Sequence, residues 1–431
     1  MRIGRTIPPA AAPIDLIDLW YGACGFVAPA RALARFEDEL RHVFRSRHVF
    51  TVSSGAAALT VTLKALASMS DRTEVILPAY TCFTVPAAVV QSGLEPVLCD
   101  IDATTFDFDA RQLEQLVSRR TLCVIAHHLF GMPTNIARVR AICETHGGVV
   151  VEDAAQAMGV DVEGRALGTL GDVGVFSLGR GKQVTCGEGG VILTDSARLA
   201  SAIERQHRGI SAPRLIHTAI AFAKVALMCL CIRPWLYWIP ASLPFLRLGE
   251  TIFPTHIVLR RLSGMHAGLM RRMQVRMQRA RGVRMNTASD FRRRLRLGAS
   301  DGRDYPYLRW PVYAATLEQK NRLTDDARRH GLGLGRGYPT AVNEIPDIRA
   351  RFAGQQFPHA ARVADHLLTI PTHHWLVDRD KEAIVNHLSG LVRTSCPPRA
   401  VSRMDAGKRE RESLSRSTLT MTRGPFEREG A

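Results

Sequence analysis

The chain has 431 residues, 46% of them hydrophobic and only 6% aromatic, with nine cysteines and a formal net charge of +17. That length supports a large core plus a smaller lobe, and the composition suits an α/β protein better than a β-sandwich. The cysteines form no Cys-x-x-Cys pair and no zinc-type spacing, which excludes a disulfide scaffold and points to a reducing compartment, and residues 1–13 lack the apolar run of a secretory signal.

From residue 48 to about 206, short apolar runs alternate with helical stretches. Strands are expected at 48–52, 74–77, 96–99, 122–126, 149–152, 174–177 and 190–193, with helices at 56–67, 84–91, 110–117, 136–145 and 197–206. This alternation indicates a mostly parallel sheet covered on both faces. Residues 216–246 are then mostly apolar. Three readings stay open for them: a buried insert or subunit-contact helix pair, a segment lying in a membrane interface, or a spanning helix, although the run is short for spanning and Lys224 and Pro234 interrupt it. One long helix is expected over 263–296, carrying ten arginines between Arg271 and Arg296. They form either a solvated basic face or a surface for phosphates or anionic lipid. No nucleic-acid-binding motif accompanies them, so no nucleic-acid partner is expected. A second α/β unit follows, with strands near 307–312 and 368–371 and helices near 317–330 and 378–390. The expected divisions are a large domain over 14–260, a long helix with a small domain over 261–395, and a polar disordered tail over 396–431.

Three pieces carry chemistry. The apolar strand at 149–151 ends in Glu152-Asp153. An acid there faces the ligand crevice of an open α/β sheet, or else caps the next helix. Lys182 follows Ser177 by five residues on a glycine-flanked loop before Cys186-Gly187-Glu188-Gly189-Gly190. It is either a surface lysine or an amine held above the sheet for covalent chemistry. Ser53-Ser54-Gly55-Ala56-Ala57-Ala58 lies between a strand and a helix, where small residues let backbone N–H groups approach a phosphate, or simply make a capped turn.

In order and spacing, these phrases resemble the DegT/DnrJ/StrS family of pyridoxal 5′-phosphate (PLP)-dependent sugar aminotransferases. The resemblance runs through Ser54-Gly55-Ala56-Ala57-Ala58-Leu59, Glu74-Val75-Ile76-Leu77-Pro78-Ala79-Tyr80-Thr81, Glu152-Asp153-Ala154-Ala155-Gln156-Ala157, Gly171-Asp172-Val173-Gly174-Val175-Phe176-Ser177-Leu178 and Lys182 with Gly187-Glu188-Gly189-Gly190. It is good for about the first 210 residues and patchy after. It implies the aspartate aminotransferase-like fold (fold type I), and a cytoplasmic homodimer that moves an amino group, from glutamate, to a nucleotide-linked keto-sugar. It further implies that Lys182 attaches PLP and shuttles the proton, that Asp153 pairs with the pyridine nitrogen, and that Gln156 bonds near the phenolic oxygen. Ser177, Gly55 and the backbone of Ala56 and Ala57 would hold the phosphate.

Three departures stand out. Cys82 replaces the family's ring-stacking aromatic, leaving either Cys82 or Phe83 to pack there. Ala56 replaces a frequent Thr. Around residues 259–263 there is no Asn to lend to a partner subunit, leaving Arg260 or Arg261. Relatives with histidine in place of the lysine are dehydratases, and Lys182 argues against that branch. The pairs His127-His128 and His373-His374 are read as packing histidines. Rival readings are a PLP-binding regulator without catalysis, and a transaminase for a keto-cyclitol. Peripheral contact with the inner membrane face follows from reading the apolar run and the arginines together.

Overall fold

The computed structural model describes residues 4–12, 14–246, 248–296 and 305–389; the expected tail at 396–431 lies outside them. Two helices that the sequence pattern did not reveal come first, α1 (Leu16–Val27) and α2 (Pro29–Phe44). In α2 a proline opens the helix and Phe36, Leu40 and Phe44, four apart, bury one stripe.

The sheet then forms from β1 (His48–Val52), β2 (Glu74–Pro78), β3 (Glu95–Cys99), β4 (Thr121–His127), β5 (Val149–Asp153), a small hairpin of β6 (Asp161–Val162) and β7 (Arg165–Ala166), β8 (Val173–Ser177) and β9 (Gly190–Thr194). Helices α3 (Gly55–Ala67), α4 (Thr84–Gln91), α5 (Ala110–Leu116), α6 (Ile136–Glu144) and α7 (Ala197–Gly209) alternate with the strands. The seven-stranded order is β1-β9-β8-β5-β4-β2-β3, and only β9 runs against the rest. All seven residues of β4 are buried, as expected of a strand covered on both faces. In the register, His127 of β4 pairs with Asp153 of β5, which pairs with Val175 of β8. Three parallel strands therefore end within two residues of one another, at the edge where an open sheet binds ligands.

Beyond the sheet lie α8 (Leu215–Cys231), α9 (Trp238–Ser242), α10 (Gly264–Leu269), α11 (Met273–Leu295), β10 (Arg309–Tyr313), α12 (Leu317–His330), α13 (Pro358–His366), β11 (Leu367–Pro371) and α14 (Asp378–Leu388). β10 and β11 pair antiparallel.

Two expectations need correction. The helix expected over 263–296 is two helices, because Met270 leaves helical geometry at φ −91° and ψ 5°. Arg276 then turns inward and donates to the last carbonyl of α10, Leu269 O, at 2.8 Å. Nor are the arginines one solvated face. Arg276 and Arg284 are buried, and Arg284 donates to Ala11 O, Leu308 O and Thr372 Oγ1, tying the N-terminal segment to β10 and β11. Burial pulls its pKa down to about 9.

The apolar run at 216–246 is not buried as a block. α8 buries Thr218, Ala221 and Val225, while Ile216, Ile220 and Leu227 are exposed, because packing on one side covers only one stripe of a helix. No helix among the described residues is long and apolar enough to cross a membrane.

Candidate active site

A cavity of about 270 Å³ opens at the carboxyl ends of β4, β5 and β8. Its wall contains Gly55, Ala56, Thr81, Cys82, His127, His128, Asp153, Gln156, Ser177, Lys182 and Tyr338. Seven of the eight expected positions are thus brought together. Ala57 is not on the wall; it is fully buried, and its N–H donates to Ser54 Oγ at 3.0 Å. Ser54 is thereby the N-cap of α3, as its residue type favours, and the Ala57 amide is engaged within the turn.

The turn from β1 into α3 presses on β8. A Cβ added to Gly55 would lie 2.7 Å from Ser177 Cβ, so only glycine lets the helix N-terminus come this close to the Ser177 hydroxyl. Backbone N–H groups at such a terminus, beside a hydroxyl, make a seat for a phosphate. Ser177 Oγ itself accepts from Gly179 N–H at 3.3 Å.

Asp153 ends β5, and its Oδ1 accepts from Ala155 N–H at 3.1 Å. Burial raises its carboxyl pKa, while the nearby Lys182 ammonium acts the other way. Such a desolvated carboxylate is poised for a cationic partner. Lys182 is half-buried and follows Gly181, whose φ of +73° is in the left-handed region; that turn aims the lysine back over the strand ends.

Gln156 is held at both ends of its amide. Oε1 accepts from Phe130 N–H at 3.0 Å and Nε2 donates to the Tyr338 hydroxyl at 2.8 Å. One amide hydrogen remains for a ligand. Tyr338 is the site residue that sequence reasoning missed. Its N–H donates to Tyr80 Oη at 2.9 Å. Burial, with Cys82, Tyr80 and Asp153 around it, holds its phenol pKa well above the ordinary value. The signal was Gly335-Arg336-Gly337-Tyr338-Pro339, a turn-forming run that presents one aromatic.

Of the two candidates after Thr81, Cys82 lines the cavity and Phe83 packs in the main core. His127, His128 and His373 are each engaged at both ring nitrogens, and the first pair shapes the site. His127 Nε2 meets Phe106 O at 3.0 Å and Nδ1 meets Thr81 Oγ1 at 3.2 Å, and burial lowers its pKa to about 4. His128 Nδ1 accepts from Thr134 N–H at 3.1 Å, so its Nε2 carries the proton shared with Glu152 at 2.8 Å. Glu152 also accepts from Gly168, Leu170 and Gly171 N–H. Burial pushes its pKa up, but the His128 and backbone hydrogen bonds outweigh burial and hold it below the ordinary carboxylate value. This buried network anchors the strand end that carries Asp153.

The profile of the DegT/DnrJ/EryC1/StrS aminotransferase family matches residues 25–222. A GDP-perosamine synthase of Vibrio cholerae is 32% identical over 190 residues, 44% of this chain and 52% of that protein. The L-glutamine:2-deoxy-scyllo-inosose aminotransferase of Streptomyces kanamyceticus is 35% identical over 170 residues, 39% of this chain and 40% of that protein. The match spans about half the length of such curated relatives or less. The fold extends further: the Escherichia coli GDP-4-keto-6-deoxy-D-mannose-3-dehydratase, solved with bound hydrated PLP, superposes with a TM-score of 0.66 at 18% identity, covering 90% of this chain and all of that one. Over residues 25–222, which hold β1 to β9 and every cavity residue named above except Tyr338, the chain carries the sequence pattern of the DegT/DnrJ/EryC1/StrS aminotransferase family.

Proposed function

We propose that this chain is a PLP-dependent aminotransferase that moves an amino group from glutamate to a nucleotide-linked keto-sugar, in polysaccharide or glycan-precursor biosynthesis. The observation that carries it is one cavity with a half-buried lysine, a desolvated carboxylate and a glycine-opened helix N-terminus on its wall. These donors fit PLP: an amine for its aldehyde, an acid for its pyridine nitrogen, and a helix end with Ser177 for its phosphate. When bound, the cofactor supplies an electron sink for charge at the substrate carbon. Lys182 attaches it and carries the proton to and from that carbon. Asp153 keeps the ring nitrogen protonated. Gln156, steadied by Phe130 and Tyr338, offers its remaining N–H to the phenolic oxygen. Cys82 packs where the family has an aromatic.

On this reading residues 14–260 form the cofactor-holding lobe and 261–395 the smaller one. The enzyme works in the cytoplasm as a homodimer, in peripheral contact with the inner membrane face. Arg260 or Arg261 reaches the partner from a segment tied to β1 and Ser211. The perosamine synthase supports a sugar acceptor. The scyllo-inosose aminotransferase supports a second reading, in which the acceptor is a keto-cyclitol.

The test is product analysis by mass spectrometry after incubation with PLP, glutamate and a panel of nucleotide-linked keto-hexoses and keto-cyclitols. Amination of a keto-sugar by the wild type and not by Lys182→Ala supports the first reading. Amination of the cyclitol alone supports the second. No amination in any pairing, with glutamate or glutamine, overturns both.

A further inference from the structure

Both α1 and α8 leave an apolar stripe exposed on the side away from the protein. α1 buries Asp18, Gly22 and Gly25 toward the protein, while Leu16, Trp20 and Val27, at i, i+4 and i+11, line its outer side and are exposed. α8 repeats the spacing: Ile216, Ile220 and Leu227 are exposed opposite Ala221 and Val225. The helices adjoin, for a Cβ at Gly22 would lie 3.3 Å from Phe222 Cε2. The chain after α8 adds exposed Trp235 and Phe245. A helix apolar on its solvent side calls for an occupant.

Charge identifies which one. No Asp or Glu occurs from residue 205 to residue 249, whereas Arg214, Lys224 and Arg233 fall within this stretch. A cleft of about 300 Å³ between α1, α2 and α10 is lined by Arg31, Arg35 and Arg271, with Glu39 the one acid. The Arg271 guanidinium sits 4.7 Å above the Tyr21 ring. Apolar stripes with tryptophans, rimmed by cations in excess of acids, match the interfacial zone of an anionic bilayer. At 17 residues α8 is too short to span one but long enough to lie on it.

We propose that the outer stripes of α1 and α8, with the Trp235–Phe245 segment, seat the protein on a bilayer surface rich in anionic lipid, the Arg31–Arg35–Arg271 cleft receiving a lipid phosphate. This deepens the peripheral placement proposed above and is independent of the transaminase chemistry.

Co-sedimentation of the full chain with vesicles of phosphatidylglycerol and phosphatidylcholine in equal parts, against phosphatidylcholine alone, tests it. The wild type is expected to partition at least tenfold more strongly onto the anionic vesicles, with affinity falling as salt rises. Trp20→Ser with Leu227→Ser and Phe245→Ser, at positions 64%, 61% and 73% exposed, is expected to lose at least tenfold on both. Arg31→Gln with Arg35→Gln and Arg271→Gln is expected to lose the anionic preference. Wild-type protein that ignores both vesicles, or a serine variant that binds as well as wild type, overturns the proposal. So does light scattering in which the serine variant only breaks an oligomer that never bound vesicles, since the face would then join two copies. Cofactor absorbance in lipid-free buffer reads the chemistry separately: transamination without vesicle binding sinks this inference alone, and vesicle binding without transamination sinks the catalytic reading alone.

Discussion

Gln156 donates from Nε2 to the Tyr338 hydroxyl at 2.8 Å, across 182 residues of chain. The bond joins the acid-bearing turn after β5 to the segment before β11 and fixes which way the amide points. Tyr338→Phe keeps the ring and frees Gln156 to turn. We expect the fold to survive and the glutamate half-reaction to slow about tenfold, consistent with about 1–1.5 kcal/mol for one buried hydrogen bond. Stopped-flow absorbance with glutamate measures it; an unchanged rate would mean that Gln156 is positioned by Phe130 alone.

Gly55→Ala drives a methyl group to 2.7 Å from Ser177 Cβ. The helix end must back away from the phosphate seat, and PLP affinity should fall at least tenfold. Gly282, inside α11 with open space around its Cβ position, is the control. Gly282→Ala should leave PLP affinity unchanged and raise stability by up to about 1 kcal/mol. Equilibrium titration with PLP and thermal melts read both.

Glu152→Gln puts an amide where a buried carboxylate now accepts from His128 and three backbone N–H groups. We expect a loss of about 2–3 kcal/mol at neutral pH. Because the folded-state pKa of Glu152 lies below its unfolded value of 4.5, the carboxylate's contribution is present above pH 4.5 and fades as pH falls through the folded value. The gap between wild type and variant, measured by urea unfolding, should narrow below pH 4.5. A gap that stays constant to pH 3 would mean that packing alone sets the loss.

His127 and His373 are buried with pKa values lowered to about 4 and about 3. Below pH 6.5 the unfolded chain protonates these imidazoles and the folded chain does not. Each therefore removes about 1.4 kcal/mol of stability per pH unit as pH falls from 6.5 toward its folded value. His373→Gln should flatten that slope by about one proton, read from urea midpoints between pH 6.5 and 4.5.

The large sheet was legible because its strands are apolar runs, the first five separated by helices: all seven strands, the four helices between them and α7 after the last fall within a few residues of their expected places. That Asp153, Gln156, Ser177 and Lys182 gather at one cavity was legible because residues close in sequence end up together at one sheet edge. Tyr338 was not, since it arrives from more than 150 residues away and only the folded chain brings it to Gln156. α1 was hidden because its pattern is reversed: Asp18, Gly22 and Gly25 are buried, while Leu16, Trp20 and Val27 are exposed. The break between α10 and α11 was hidden because Met270, Arg271 and Arg272, where it falls, include no Gly or Pro; a guanidinium, Arg276, takes up the carbonyl it exposes. Arginine count likewise misled, since burial of Arg276 and Arg284 depends on backbone carbonyls supplied by distant segments.

The most direct test of the central claim is the absorption spectrum of the purified protein with PLP, before and after glutamate, beside Lys182→Ala. The account predicts a lysine-bound cofactor band in the wild type that shifts to the aminated form on adding glutamate and is absent from the variant. A band that forms but ignores glutamate and other amino acids would contradict catalysis and favour a cofactor-binding regulator. No band in the wild type would contradict the assignment of the cavity to PLP.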